Sequence, residues 1–112
     1  MSTTFHLQTP NFGLPYEAIA DVCRQFAVRE LAVFGSVLGP AFRTDSDVDF
    51  MVVFFRNDLG PWMEKLGRFE ESLSNVLGRK ADVVLKSSVE NGWNYIRRKD
   101  ILSNARSIYV AR

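Results

Sequence analysis

Residues 35–49 read GSVLGPAFRTDSDVD and run directly into FMVVFF at residues 50–55. Val48 and the run that follows are apolar and rich in β-formers, which predicts a strand of a covered sheet. Strand side chains alternate between faces, so Asp47 and Asp49, two apart, share one. Neighbouring carboxylates repel, and burying them unpaired is costly. A bound cation removes that repulsion, and oxygen ligands suit Mg²⁺, which takes one or two carboxylates together with substrate phosphates. Upstream, residues 30–34 (ELAVF) read as a short strand ended by Gly35. Glycine permits a sharp turn and lets a phosphate approach with no Cβ in the way. Ser36 adds a hydroxyl and can open a short helical turn over residues 36–42, where exposed N–H groups attract anions. Gly-Ser, ten intervening residues and then Asp-x-Asp therefore suit one chemistry: binding a nucleoside triphosphate through divalent metal and transferring its nucleotidyl group.

A third carboxylate is available. Asp82 begins DVVLK at residues 82–86, another strand-like run, and shares a face with Val84 and Lys86. If this strand lies beside the first, Asp47, Asp49 and Asp82 converge. Two metal ions held there would clamp the attacking and leaving oxygens of an in-line displacement. Asp82 would accept the proton of an attacking hydroxyl. Plainer readings compete. A lone Asp-x-Asp is usually turn chemistry, and Asp82 can simply start a strand or pair with Lys80. A calcium loop beginning at Asp45 fails, because Phe50 stands where that loop needs glycine and Arg56 where it needs glutamate.

Around this motif the chain alternates helical and strand periods. Residues 1–14 form an N-terminal arm of irregular or weakly extended character, and residues 15–112 the folded domain. Pro15 suits a helix first turn, and Ile19, Val22, Cys23 and Phe26 make one apolar helical face. Pro61 opens the longest helix, with Trp62, Leu66, Phe69, Leu73 and Val76 as a core stripe and Gly78 as its C-cap. Ser87-Ser88 reads as turn chemistry, Ser74 and Ser103 as helix surface. Residues 93–105 carry one or two short helical turns, and residues 107–110 (SIYV) a last strand. The fold class is α/β: a single small domain with a mixed central sheet and helices packed mainly on one face. The other face stays open around the acids.

Bulk properties set further bounds. A chain of 112 residues, 46% hydrophobic, fits one domain with one core. It has no 18-residue apolar run, so no membrane span is expected, and no signal-peptide pattern. One cysteine, Cys23, excludes internal disulfides, points to a reducing, cytoplasmic setting, and reads as core. His6 reads as surface, and no Ser/His/Asp or Cys/His set suggests covalent hydrolysis. A net charge of +1 gives no reason to expect direct nucleic-acid binding. From Lys86 onward, however, Lys86, Arg97, Arg98, Lys99, Arg106 and Arg112 outnumber Glu90 and Asp100. That surplus would face triphosphate or an acidic partner, or form a solvated face. An exposed strand edge would also permit self-association.

Gly35, Ser36, Asp47 and Asp49 match without a gap the pattern of the minimal nucleotidyltransferases of the DNA polymerase beta superfamily, the type usually encoded with a HEPN partner. The tail WNYIRRKDILSNARSIYV also resembles the end of these domains, and the likeness covers about residues 15–112. The resemblance implies a nucleotidyltransferase-like fold, ATP as donor, Mg²⁺ (two ions) held by Asp47, Asp49 and Asp82, and phosphate contacts from Gly35 and Ser36. The basic residue that members often carry soon after Gly-Ser is absent at Val37 and Leu38, and Arg43 is the nearest substitute. In the best-understood members the acceptor is a tyrosine of the HEPN toxin, and the enzyme is the antitoxin. Two other functions fit the residues: a small-molecule nucleotidyltransferase completed by a partner subunit, and a non-catalytic antitoxin that binds a HEPN protein by surface contact alone.

Overall fold

The alternating periods resolve into the order α1 (Tyr16–Gln25), β1 (Val28–Phe34), β2 (Val48–Phe54), a 3-10 turn (Pro61–Met63), α2 (Glu64–Leu77), β3 (Ala81–Leu85), α3 (Lys86–Gly92), α4 (Tyr95–Asn104) and β4 (Arg106–Val110). This is a computed structural model, and it describes residues 14–35, 47–56, 58–92 and 95–111. The arm over residues 1–13, with His6, and the short helix expected after Gly35 lie outside the described residues.

The four strands form one mixed sheet in the order β3-β2-β1-β4. β1 runs antiparallel to both β2 and β4, whereas β2 and β3 are parallel. Parallel neighbours need a crossover rather than a hairpin, and α2 supplies it. β1 starts two residues earlier than its apolar run suggests. Val28 pairs with Phe54, and the register shifts between Val28 and Glu30. The polar Arg29-Glu30 step at that irregularity hides the strand start from a hydrophobicity reading.

The main core lies between the sheet and the α1/α2 layer. Val48, Phe50, Val52 and Phe54 of β2 meet Ile19 and Cys23 of α1 and Phe69 and Leu73 of α2 there. Leu14, just ahead of α1, is buried in the same core. The Phe69 ring stacks edge-on against Phe26 and Phe54, both at 5.6 Å between centroids. Such aromatic pairs add about 0.5–1.5 kcal/mol beyond area burial. They join α1, α2 and β2 at one point. Gly78 ends α2 as its sequence position suggests, at φ +71° with its N–H donating to the Ser74 carbonyl.

The opposite face is not wholly bare. Ala32, Phe34 and Met51 pack there with Val89 of α3 and Ile101 of α4. Helix α3 is where the structure departs most from expectation. Lys86 leaves the strand to begin it, and Ser87-Ser88 form its first turn rather than a loop. A fully buried Val89 explains the helix, which must bend back over the sheet to place that side chain. Trp62 also departs from its expected role. It is fully exposed, with φ +57°, and Met63 follows at φ +54°. Pro61 therefore opens a kinked 3-10 turn, and the regular helix begins only at Glu64. The core stripe of α2 runs through Leu66, Phe69, Leu73 and Val76 without the indole.

Candidate active site

Gly35 ends β1 at φ +81°, a conformation that L side chains rarely adopt. Its lack of a side chain is also needed for space. A Cβ built there would collide with Asp49 Oδ2 and would lie 3.3 Å from Asp49 Cγ. The turn and the carboxylate are thus packed directly against each other. The pairing of Phe34 with Asp49 across β1 and β2 accounts for this contact.

Asp82 lies opposite Asp49 in the parallel β2–β3 register. Cross-strand partners project to the same side of a sheet. Their neighbours on that side, Met51 and Val84, join the second, smaller apolar cluster. The two acids therefore occupy one face, at the starts of their strands and away from the main core. Asp47 stands one residue before β2 and is exposed. The Val48 N–H donates to the Lys80 carbonyl at 3.0 Å, so the chain leading into β3 is fastened beside Asp47. Ser36 and Arg43 fall outside the described residues.

The Lys80 ammonium lies 3.6 Å from Asp82 Oδ1, with the Asp82 side chain 43% exposed. Asp82 therefore shares a face with Asp49 and also pairs with Lys80. Among the described residues, which include Asp47, Asp49 and Asp82, no three His, Cys, Asp or Glu side chains stand close enough together to hold a metal ion, so β3 lies beside β2 as expected but the three acids are not gathered into one cluster. The donor chemistry nonetheless fits Mg²⁺. Hard carboxylate oxygens on adjacent strands, open to solvent at one end, match an ion that prefers one or two carboxylates and completes its shell with phosphate and water.

Two contributors escape a sequence reading. Ser74 and Glu70 of α2 reach the outer edge of β3. The Ala81 N–H donates to Ser74 Oγ at 2.9 Å, and the Val83 N–H donates to Glu70 Oε2 at 2.8 Å. Ser74 is thus not mere helix surface. Its hydroxyl also donates to the Glu70 carbonyl. The available signal was their spacing: four apart, each one position after a core residue, Phe69 and Leu73.

Other features fall away from this site. Burial pushes the Cys23 thiol from an ordinary 9.0 up to about 12, with neighbouring Arg24 opposing. A buried thiol of that kind is inert, as its core position implies. A cleft of about 350 Å³, lined by Arg29, Glu30, Val53, Lys86, Ser87 and Glu90, lies at the far ends of β2 and β3 from the acids. No helix among the described residues is long and apolar enough to cross a membrane.

Known proteins share this architecture. A protein adenylyltransferase, MntA, from Thermococcus cleftensis is 41% identical over 68 residues, or 61% of this chain. The match spans 66% of that relative's own length, just under two thirds. Among solved structures, a toxin–antitoxin crystal structure with AMP-PNP superposes with a TM-score of 0.64 at 16% identity, covering 88% of this chain and 76% of that one. A complex of a tri-AMPylated Shewanella oneidensis HEPN toxin with an MNT antitoxin gives a TM-score of 0.51 at 11% identity, covering 86% of this chain and 70% of the matched one. At these identities the two structures show a common fold. The sequence profile described as the nucleotidyltransferase domain matches residues 16–108, from the start of α1 into β4. With that match over most of its length, the chain belongs to the nucleotidyltransferase domain family.

Proposed function

We propose that this protein moves AMP from ATP to a hydroxyl acceptor, a tyrosine of a HEPN toxin, and so acts as the antitoxin of a toxin–antitoxin pair in the cytoplasm. The observation that carries the reading is the in-register pairing of Asp49 with Asp82, beneath a glycine turn that Asp49 packs against. It is supported by family membership and by the similarity to an adenylyltransferase relative. The HEPN partner is proposed from the shared fold of toxin–antitoxin complexes.

In this mechanism Gly35 and Ser36 receive the β- and γ-phosphates, with Arg43 as a further basic contact. Asp47, Asp49 and Asp82 would hold Mg²⁺, two ions in full. When bound, the metal supplies charge neutralisation of the triphosphate and of the leaving group. Asp82 takes the proton of the acceptor hydroxyl as its oxygen attacks the α-phosphorus. The bond to the β-phosphate oxygen breaks, and pyrophosphate leaves. Catalysis is mainly positioning and electrostatic stabilisation.

The test is incubation with labelled ATP, Mg²⁺ and the protein of the neighbouring reading frame, followed by mass mapping of the acceptor. Asp49→Asn should abolish incorporation while leaving the circular dichroism spectrum and melting curve in place. Undiminished labelling in that variant removes the assigned site. A second reading, a non-catalytic antitoxin, is favoured by the Lys80–Asp82 ion pair. It requires binding of the HEPN protein with no label transferred by the wild-type chain.

A further inference from the structure

Among the described residues β3 is a short edge strand, paired on one side only, with β2. Edge strands present unpaired N–H groups, and five residues hydrogen-bonded to one neighbour fray readily. A carboxylate on such a strand is poorly fixed relative to its partner on an inner strand. Here the outward N–H groups on either side of Asp82 are both taken by α2. Ser74 Oγ accepts from Ala81, and Glu70 Oε2 accepts from Val83. The bond from Val83 ends on a carboxylate and is of the stronger, charge-assisted kind. The Ser74 hydroxyl in turn donates to the Glu70 backbone carbonyl at 2.9 Å, a back-bond along the helix that fixes the direction of its oxygen. One helical turn of α2 thus supplies acceptors to the outward N–H groups over the three residues centred on Asp82.

We infer that Glu70 and Ser74 are positioning residues for the active site: they hold the backbone of Asp82 in register with Asp49, and through it set the geometry offered to a divalent cation and to the acceptor hydroxyl. The inference rests on the proposed role of Asp82. It does not follow from stability alone, because the Phe26–Phe54–Phe69 cluster anchors α2 to the sheet independently of these two bonds.

The experiment uses the full chain and Mn²⁺ as the probe ion, followed by its electron paramagnetic resonance signal, alongside amide hydrogen exchange and labelled-ATP transfer. Glu70→Ala should speed exchange at Val83 at least tenfold, leave β1 exchange unchanged and weaken Mn²⁺ binding by about tenfold, the usual scale for loss of a group that orients a ligand. Transfer should fall in kcat with little change in KM for ATP. Glu70→Gln keeps an acceptor oxygen and should restore most of the Mn²⁺ affinity. Faster exchange at Val83 with unaltered Mn²⁺ affinity overturns the inference and leaves a purely structural clamp. If Glu70→Ala does not fold, Ser74→Ala, which removes a single outward bond, is judged by the same readings at Ala81. Asp82→Asn separates the two levels. Unaltered Mn²⁺ binding and transfer in that variant remove the role of Asp82 itself, and the inference with it. Loss in Asp82→Asn combined with no effect in the Glu70 and Ser74 variants removes the inference alone.

Discussion

Gly35 joins the turn proposed for phosphate to Asp49, the proposed metal ligand, at the scale of one residue. Alanine there meets Asp49 and must also adopt φ +81°. Gly35→Ala should therefore cost about 1–3 kcal/mol, read as a lower urea midpoint, and should abolish transfer. Ala27 is the converse. It takes φ +56° in the turn between α1 and β1, where glycine would sit without strain. Ala27→Gly should raise stability by about 0.5–1 kcal/mol, and an unmoved or lowered urea midpoint would contradict this. Cys23 and Tyr109 give a pH signature. Burial raises both, and in Tyr109 the nearby thiol adds to that effect while Arg24 opposes it. Above an ordinary thiol pKa of 9.0 the unfolded chain sheds protons that the folded chain keeps, up to about 12 for Cys23. Stability is thus fully present at neutral pH and declines as pH rises through that window. Unfolding curves at about pH 8 and about pH 10.5 should show the drop, and Cys23→Ala should make it shallower.

At the scale of the element, most of the architecture was legible, and the misses share a cause. α1, β2, β3 and the Gly78 cap follow from period and punctuation. Strand alternation places Asp47 and Asp49 on one face, but the pairing of Asp49 with Asp82 depends on which strands neighbour each other, which no local pattern encodes. Ser87-Ser88 carry a turn signal because serine is common in turns, yet they open α3, and the buried Val89 that docks this helix on the sheet is a tertiary contact the local pattern does not show. Trp62 looked like core because its spacing matched the stripe. Two successive left-handed residues, Trp62 and Met63, rotate it out to solvent. Glu70 and Ser74 were illegible because their partners are backbone amides thirteen and seven residues on. Within α2, Phe69 carries the most packing. Phe69→Ala should cost about 3–5 kcal/mol in chemical denaturation, whereas Trp62→Ser should shift stability by no more than about 0.5 kcal/mol.

Across the whole molecule the sheet separates two tasks. One face, under α1 and α2, is apolar and holds the domain together. The other carries the acids at one end and a smaller apolar cluster under α3 and α4. Core variants should therefore change melting without selectively changing chemistry, and acid variants the reverse. The parallel β2–β3 arrangement has one more outcome. Antiparallel neighbours joined by a tight hairpin meet as soon as both are made, but the partner of Asp49 comes thirty-three positions later, beyond a complete helical excursion. On the ribosome, a nascent chain stopped short of that excursion owns half of the proposed catalytic pair, so the capacity proposed for it arrives only once β3 emerges, and all at once.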